Sequence, residues 1–297
     1  MEIAITGSSG LIGTELVNQL KAKGHKPIRV VRRTPKKGSD EIYWKPAEGE
    51  IDAKSLEGID GVINLAGAGV GDKRWTDKRK ALIASSRVDS TTLLATKLSA
   101  SAKQPKFLIS GSAIGYYGNR QAEILNEQST AGGNFLAEVC KDWEKAAQPA
   151  IDAGIRTCFA RTGIVFTPKG GALGKLIPLF KFFLGGKLGN GKQYMSWISL
   201  EDEVRALMFL CESDTSGPVN LTAPNPVMNK EFTKSLGKAL GRPTILPIPS
   251  FGPKILLGPE LGQALALDSQ RVLPKVLESE GFEFAHPKLD DCFSDIL

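Results

Sequence analysis

Three glycines near the start of the chain have the spacing that binds a diphosphate. The run 6–13, Thr-Gly-Ser-Ser-Gly-Leu-Ile-Gly, follows the pattern GxxGxxG. It lies between an apolar segment, 2–6, that predicts a strand and an amphipathic segment, 11–23, that predicts a helix. In such a unit the first glycine permits a sharp turn, the second lets a phosphate approach the backbone, and the third lets the helix pack closely on the sheet.

The predicted helix after this turn also attracts negative charge. Its free N–H groups and the positive end of its dipole face the same point. The sequence therefore predicts a dinucleotide site, and an ordinary tight turn without a ligand is the alternative. The residues expected to contact the dinucleotide at this turn are Thr6, Gly7, Ser9, Gly10, Leu11, Ile12 and Gly13.

The residues after the second predicted strand, 27–31, indicate which dinucleotide binds. An NAD site places a carboxylate there, about 20 residues beyond the glycine turn, to hold the ribose hydroxyls. This chain has Arg32 and Arg33 at that point and no acid. A guanidinium forks onto a 2′-phosphate and cannot replace a carboxylate on ribose hydroxyls. The sequence favours NADP (NADPH), with Arg32 as the first candidate ligand and Arg33 as the second; two solvent-facing arginines are the alternative.

Apolar runs alternate with amphipathic segments over most of the chain, which is the pattern of βαβ units. Their continuous apolar character is typical of parallel strands that are buried on both faces. We expect an α/β fold with a doubly wound parallel sheet of the NAD(P)-binding Rossmann type and a smaller C-terminal lobe. One long helix is predicted over 134–153, and further strands are predicted at 42–44, 62–65, 107–110, 157–161 and 219–221.

The composition changes after residue 221, where prolines become frequent. We expect an NADP-binding domain over 1–225 and a substrate-side domain over 226–297. The second domain should contain a helix over 229–240 and a helical stretch ending near 277. The glycine-rich stretch 163–191 is interpreted as an excursion of the first domain toward the smaller lobe.

Charge and composition exclude several classes of protein. The chain is 41% hydrophobic and 24% charged, so it can bury a sizeable core. Its net charge of +6 is modest, and no basic patch with interleaved aromatics stands out, so no nucleic-acid partner is expected. No apolar run reaches about 18 residues, so no membrane partner is expected. The chain opens directly into a strand-like run, and no signal peptide is expected.

The thiols and imidazoles do not form a metal-binding pattern. No CxxC pair occurs, which predicts free thiols in a reducing cytoplasm and no metal site. His25 and His286 are interpreted as surface residues without a metal cluster around them. The widely spaced cysteines are Cys140, Cys158, Cys211 and Cys292.

Motifs spread along the chain are shared with a known group of proteins. The run 60–67, Asp-Gly-Val-Ile-Asn-Leu-Ala-Gly, and the run 110–113, Ser-Gly-Ser-Ala, resemble the fourth- and fifth-strand signatures of the extended short-chain dehydrogenase/reductase superfamily of nucleotide-sugar epimerases and dehydratases. Within it the chain is most similar to an atypical branch of NADP-dependent epimerase-family oxidoreductases. The matches to that branch include Arg74-Trp75-Thr76, Ser86-Arg87, Gly115-Tyr116-Tyr117-Gly118, Trp143-Glu144, Arg161-Thr162-Gly163 and Arg271-Val272-Leu273-Pro274.

This resemblance implies roles for residues beyond the glycine turn. It places a catalytic serine at Ser112 and a substrate cleft under the C-terminal lobe. Members often dimerise, so a homodimer is a candidate assembly. The residues assigned to the cofactor on this basis are Leu65, Ala66, Gly67, Arg87 and Arg161. For Arg87, a clamp on a substrate anion or an ion pair that supports the cleft is the alternative.

One departure from the superfamily changes the expected chemistry. In the superfamily's Tyr-xxx-Lys pair, a cation lowers the pKa of a phenol for proton transfer. That pair is missing here, and its two places fall at or beside Leu136 and Cys140. One hypothesis is an NADP-dependent oxidoreductase or epimerase in which Ser112 with Tyr116 or Tyr117 polarises a small polar substrate. In the alternative these tyrosines only pack beneath the loop, and the chain is a non-catalytic NADP(H)-binding regulatory or redox-sensing protein.

Overall fold

A computed structural model describes residues 1–297. The strands are β1 (Glu2–Thr6), β2 (Lys26–Val31), β3 (Glu41–Lys45), β4 (Glu50–Ile51), β5 (Gly61–Asn64), β6 (Phe107–Ala113), β7 (Ile124–Leu125), β8 (Arg156–Thr162), β9 (Ile164–Phe166), β10 (Tyr194–Met195), β11 (Trp197–Ser199), β12 (Gly217–Leu221), β13 (Val227–Met228) and β14 (Arg271–Val272). The helices are α1 (Leu11–Ala22), α2 (Asp77–Ser99), α3 (Phe135–Lys145), α4 (Gln148–Asp152), α5 (Gly171–Lys181), α6 (Leu200–Glu212), α7 (Asn229–Ala239), α8 (Phe251–Leu257), α9 (Pro259–Gly262), α10 (Lys275–Ser279) and α11 (Leu289–Ile296).

Eight strands form the central sheet in the order β12-β8-β6-β5-β1-β2-β3-β4. All neighbouring pairs are parallel except β3 with β4. The chain winds outward in one direction from β1 and in the other direction from β5, so the strand order reverses between them. Ligands of such sheets bind at the carboxyl ends of the strands beside this reversal. The predicted doubly wound α/β fold is confirmed.

Apolar side chains cover both faces of the sheet. On one face Leu16 and Leu20 of α1 pack with Val204 and Leu207 of α6. On the other face Leu94 and other apolar residues of α2 pack with the alanines of the α3–α4 region. The strands are therefore buried on both sides, as their continuous apolar sequences predict.

A third core belongs to the lobe beside the sheet. The ring of Phe166 stacks on Trp197 at a centroid distance of 5.7 Å and also meets Phe232 and Phe293. These rings come from the excursion after β8, from α7 and from α11, so three distant parts of the chain share one core. The domain boundaries 1–225 and 226–297 remain a prediction.

Several helices differ from the sequence-based prediction, and α5, α6 and α11 are among those it does not include. The segment predicted as one helix over 134–153 is divided into α3 and α4, because Pro149 has no N–H to continue the first helix and instead lies in the first turn of the second. Helix α2, the longest in the chain, has no counterpart among the predicted elements. Its buried face includes Ser90 and Thr91, which weakens the apolar periodicity by which a helix is recognised.

The four cysteines are buried and unpaired. Burial raises the pKa of Cys140 and Cys158 to about 11 and that of Cys211 and Cys292 to about 12. All four are therefore neutral thiols at physiological pH. None of the helices has both the length and the apolar character that crossing a bilayer requires.

Candidate active site

The candidate site lies at the carboxyl ends of β1 and β5, where the strand order reverses. The hydroxyl of Thr6 donates to Asn64 Oδ1 at 2.6 Å and accepts from the N–H of Ala66 at 3.1 Å. Asn64 in turn donates to Thr91 Oγ1 of α2 at 2.8 Å. These buried bonds fix the glycine turn after β1 against the loop that follows β5. Thr6 therefore positions the two loops rather than presenting a free hydroxyl.

The glycine turn is shaped by close backbone contacts. Gly7 has a φ of 64°, and a Cβ there would lie 2.7 Å from the carbonyl oxygen of Leu65. A Cβ on Gly13 would lie 2.3 Å from the carbonyl oxygen of Gly7. Only glycine fits at these two positions, because real Cβ atoms do not come so close to backbone. The turn therefore brings the start of α1 directly beneath the strand ends.

Helix α1 begins at this turn without a side-chain cap. Gly10 is its N-cap residue and, lacking a side chain, leaves the first N–H groups of the helix free. Ser9 is exposed beside it, and Leu11 and Ile12 are half-buried in the first turn. An uncapped helix start with an approachable backbone fits the diphosphate of a dinucleotide. Across the cleft, the predicted adenosine-side residues are Leu65, Ala66 and Gly67.

The two arginines after β2 differ in their partners. Arg33 pairs with Glu41, with Nη1 and Nη2 at 3.0 and 2.5 Å from the two carboxylate oxygens. The hydrogen bonds from Arg33 lower the pKa of Glu41 to about 2, so the pair stays charged. Arg32 is exposed and has no partner in the chain. Arg32 is therefore the free guanidinium at this strand end. Arg29, which the sequence reasoning passed over, reaches the carbonyl of Ser8 in the turn at 3.5 Å.

The structure places Arg87 beneath the loop after β5. Its Nη1 donates to the carbonyls of Ala68 and Ile83 at 3.0 and 2.9 Å, and its guanidinium packs on the Trp143 ring at 5.0 Å. A Cβ on Gly67 would come within 3.0 Å of this guanidinium. Arg87 Nη1 therefore holds the loop that would line the cofactor, and direct contact of Arg87 with the cofactor stays a prediction.

A network of polar side chains surrounds Ser112 at the end of β6. The Ser112 hydroxyl donates to Glu144 Oε1 at 2.7 Å. Arg161 donates from Nε and Nη2 to the two oxygens of Glu144 at 2.8 and 2.9 Å. The Arg161 guanidinium also lies 3.5 Å from the ring centroid of Tyr116. We call Ser112, Tyr116, Glu144 and Arg161 the Ser112 cluster.

Two predicted site residues have buried partners in this network. Arg161 is only 3% exposed, and its donors are taken by Glu144 and by the hydroxyl of Tyr117, so it supports the cleft, and its contact with a cofactor stays a prediction. Tyr117 is fully buried, and its hydroxyl donates to Asn220 Oδ1 at 2.7 Å. Burial raises the pKa of Tyr117 to about 12, so its phenol stays neutral. Tyr117 is a packing residue here and cannot reach a substrate.

Tyr116 and Ser112 remain as the candidate groups for contact with a substrate. Tyr116 is half-buried, and its hydroxyl has no hydrogen-bond partner in the chain. The side chains in the places of the missing Tyr-xxx-Lys pair are those of Leu136 and Cys140 on α3, and both lie against Gly115. Neither supplies the cation of the missing lysine, because one is a hydrocarbon and the other is a thiol, which burial keeps neutral by raising its pKa to about 11.

A cavity of about 640 Å³ lies between the loop after Tyr117 and the C-terminal lobe. Asn119 and Gln121 line it on the sheet side, and Lys192, Gln193 and Lys254 line it from the lobe. No carboxylate contributes to its wall. The lining is therefore polar with positive charge, as a substrate rich in oxygen atoms or negatively charged requires.

The interpretation of His286 as a surface residue is wrong. Its side chain is 8% exposed, and its ring nitrogen Nδ1 lies 3.0 Å from Ser199 Oγ. The backbone N–H of His286 donates to Asp202 Oδ2. A nitrogen of its ring also lies within 4.8 Å of carboxylate oxygens of Glu201 and Asp295, so side chains of metal-binding type do surround it. Both carboxylates are exposed, and exposed acidic groups commonly lie together without an ion.

Comparison with known proteins places the chain in a family. Residues 3–222 match the NAD dependent epimerase/dehydratase family, and residues 248–296 match a domain of unknown function, DUF1731. The chain belongs to the NAD dependent epimerase/dehydratase family, as its motifs predict.

Three relatives show how far the likeness extends. Epimerase family protein ML0860 of Mycobacterium leprae is 44% identical over 98% of this chain and 94% of its own length. The chloroplastic SDR39U1 homolog of Arabidopsis thaliana is 37% identical over 100% of this chain and 87% of its own length. The crystal structure of human epimerase family protein SDR39U1 with NADPH has a TM-score of 0.91 at 30% identity, covering 100% of this chain and 99% of that one.

Proposed function

We propose that this protein binds NADPH and uses it in the oxidation–reduction or epimerisation of a small polar substrate. The observation that carries the proposal is the glycine turn, where uncapped amides of α1 and the unpartnered Arg32 lie at one edge of the sheet. The human relative solved with NADPH supports the choice of dinucleotide. The four unpaired thiols suit a reducing compartment such as the cytoplasm.

The residues near the turn divide the work of holding the cofactor. The amides at the start of α1 hold the diphosphate, Leu65 to Gly67 line the adenosine ribose, and Arg32 neutralises the 2′-phosphate. When bound, the nicotinamide supplies the electron pair for reduction or accepts it for oxidation. Arg87 keeps the loop after β5 in place through the carbonyl of Ala68.

Ser112 and Tyr116 orient the reacting group of the substrate. The Ser112 hydrogen is directed at Glu144, so the lone pairs of its oxygen remain available to accept a hydrogen bond from a substrate hydroxyl. The free hydroxyl of Tyr116 can donate a proton or a hydrogen bond to a substrate oxygen. Arg161 and Glu144 hold both groups in place, and the amide- and lysine-lined cavity receives the rest of the substrate.

The choice of NADPH is tested by replacing the two arginines separately. Arg32→Ala should weaken NADPH binding roughly 10- to 100-fold, because a charge-assisted hydrogen bond to phosphate is lost, and leave NADH binding unchanged. Arg33→Ala is the matched control and should change NADPH affinity much less, because Glu41 already occupies its guanidinium. Fluorescence titration of reduced cofactor measures both. An equal loss of NADPH and NADH affinity in Arg32→Ala would contradict the role.

A second candidate function rests on the missing Tyr-xxx-Lys pair. A non-catalytic NADP(H) sensor needs the same turn but no proton donor, and Leu136 and Cys140 supply none. NADPH consumption over a panel of carbonyl compounds separates the two. If the protein is an enzyme, at least one compound should be turned over, and Ser112→Ala and Tyr116→Phe should each lower that turnover by roughly 100-fold or more. Tyr43→Phe on β3 is the control and should leave turnover unchanged. NADPH binding without turnover on any compound would favour the sensor.

A further inference from the structure

Exposed apolar side chains are concentrated on one part of the C-terminal lobe. Ile245 is 84% exposed, Phe182 76% and Leu246 73%, although each is large and hydrophobic. Contiguous exposed apolar areas of this kind mark contact surfaces. We define the apolar surface of the lobe as Phe182, Phe183, Leu184, Ile245, Leu246, Phe251, Ile255 and Leu256.

Backbone hydrogen bonds join the separate segments of this surface. The N–H of Ile248 donates to the carbonyl of Lys187 at 2.9 Å, and the N–H of Gly189 donates to the carbonyl of Ile248 at 2.8 Å. Arg242 donates to the carbonyl of Lys181 at 3.3 Å and lies 5.2 Å from the Phe183 ring centroid. The loop after α5 and the segment before α8 therefore form one continuous feature.

The loop after α5 has a strained backbone at its apolar tip. Phe183 has a φ of 63°, a conformation that non-glycine residues rarely adopt and that costs free energy. The neighbours Phe182 and Leu184 are nevertheless held in solvent, where their exposure costs further free energy. A binding partner that covers these three side chains would recover the second cost.

The two segments of the chain that carry the apolar surface contain bases and no acids. Residues 163–200 contain five lysines and no acid, and residues 232–259 contain only bases among their charged residues. Glu260, the next acid along the chain, is paired with Lys80. Lys181, Lys187 and Arg242 form no ion pair with the chain's own carboxylates. The bases of the two segments are Lys169, Lys175, Lys181, Lys187, Lys192, Lys234, Lys238, Arg242 and Lys254.

We propose that this apolar surface docks the protein onto an anionic phospholipid membrane without spanning it. Exposed phenylalanines and leucines flanked by lysines combine the two attractions that hold a peripheral protein at an acidic lipid interface. A second copy fits less well, because a two-fold interface through these segments would bring the same bases against each other. The proposal departs from the sequence-based expectation of no membrane partner and is independent of the proposed reaction.

Vesicle co-sedimentation of the full-length protein tests the proposal. Vesicles of phosphatidylcholine with about 30 mol% phosphatidylserine should bind the wild type, and vesicles of phosphatidylcholine alone should bind it much less. The pair Phe182→Ser and Leu184→Ser removes apolar contact, and the pair Lys181→Glu and Lys187→Glu reverses charge. Each pair should lower the partition onto anionic vesicles at least about tenfold.

Matched controls replace exposed side chains away from the lobe. Ile151→Ser on α4 and Lys103→Glu should leave vesicle binding unchanged, and NADPH affinity and thermal unfolding should be unchanged in every variant. If the serine pair fails to fold, the charge-reversal pair decides the question. Wild type that stays in the supernatant with anionic vesicles would overturn the proposal. So would a wild-type dimer that the serine pair abolishes in the absence of vesicle binding, because that result assigns the surface to a second copy.

Discussion

The glycine turn and the Ser112 cluster lie at the same edge of the sheet but differ in how their polar groups are satisfied. At the turn, α1 begins without a cap and Arg32 has no partner. In the cluster, Glu144 accepts hydrogen bonds from both Ser112 and Arg161. The turn is therefore prepared for an external anion, whereas the cluster balances its charges internally. The proposed dinucleotide site is thus built from residues close together in the sequence, whereas the proposed reaction would depend on a few groups held by buried neighbours.

The largest effect is expected from removing the carboxylate that pairs with Arg161 in the Ser112 cluster. Glu144→Ala should lower the free energy of unfolding by about 3–5 kcal/mol, because Arg161 remains buried without a counter-charge. Urea unfolding measures the loss. NADPH affinity of the folded fraction should change little, since the turn does not depend on Glu144.

Glu138→Ala on the same helix is the matched control for that change. Its pair with Lys141 is half-exposed, so the loss should be about 0–1 kcal/mol. Equal losses in the two variants would show that Glu144 stabilises the fold no more than a surface carboxylate does.

A second buried carboxylate extends the contrast to pH. Glu203 accepts from Thr162 Oγ1 at 2.8 Å and has no cation beside it, and burial raises its pKa to about 8 from the ordinary 4.5. Since the unfolded chain releases this proton near pH 4.5 and the folded chain holds it to about pH 8, stability should fall between those values. Glu203→Gln keeps the shape and removes the titration.

The glutamine variant should match the wild type near pH 4.5 and exceed it by on the order of 3 kcal/mol at pH 8. Chemical unfolding at the two pH values measures the difference. Glu201→Gln is the control, because Glu201 lies two residues earlier on the same helix and is exposed, and it should show no such gain. A gain that does not depend on pH would contradict the assignment of a buried, protonated carboxyl.

The smallest effect on stability is expected at the glycine turn. Gly13→Ala places a Cβ 2.3 Å from the carbonyl oxygen of Gly7. The resulting shift should cost about 1–3 kcal/mol of stability and weaken NADPH binding, because the turn must open. Gly133→Ala, whose Cβ would meet nothing within 4 Å, is the control. Unchanged NADPH titration in Gly13→Ala would show that the turn does not hold the dinucleotide.

Local patterns account for the parts of the site that the sequence could predict. The turn at Gly7 and Gly13 is encoded within eight residues, so the strand before it and the helix after it follow from the local pattern, and the proposed ligand class follows from the glycine spacing in that context. Arg33 is paired with Glu41, which leaves Arg32 as the unpaired arginine of the two. The sequence does not predict this pairing, because Glu41 lies on another strand.

Contacts between distant residues account for what the sequence could not predict. Glu144 lies 32 residues after Ser112 and 17 before Arg161, and no periodicity reports that the three meet. For the same reason the sequence leaves open whether Tyr117 packs beneath the loop, and it does not show that Glu144 pairs with Arg161. The burial of His286 is missed in the same way, because its partners lie on α6 and α11 and the sequence does not show that they meet it.

The four unpaired cysteines give this molecule a set of internal reporters. Thiol reagents attack the thiolate, and burial keeps each sulfur both neutral and inaccessible. Modification must therefore wait until the structure around a given sulfur opens. Cys292 lies in the last helix, Cys140 in the helix beside Ser112, Cys211 in α6 and Cys158 in a central strand. The order in which the four are labelled will rank the opening of these regions without the introduction of any probe.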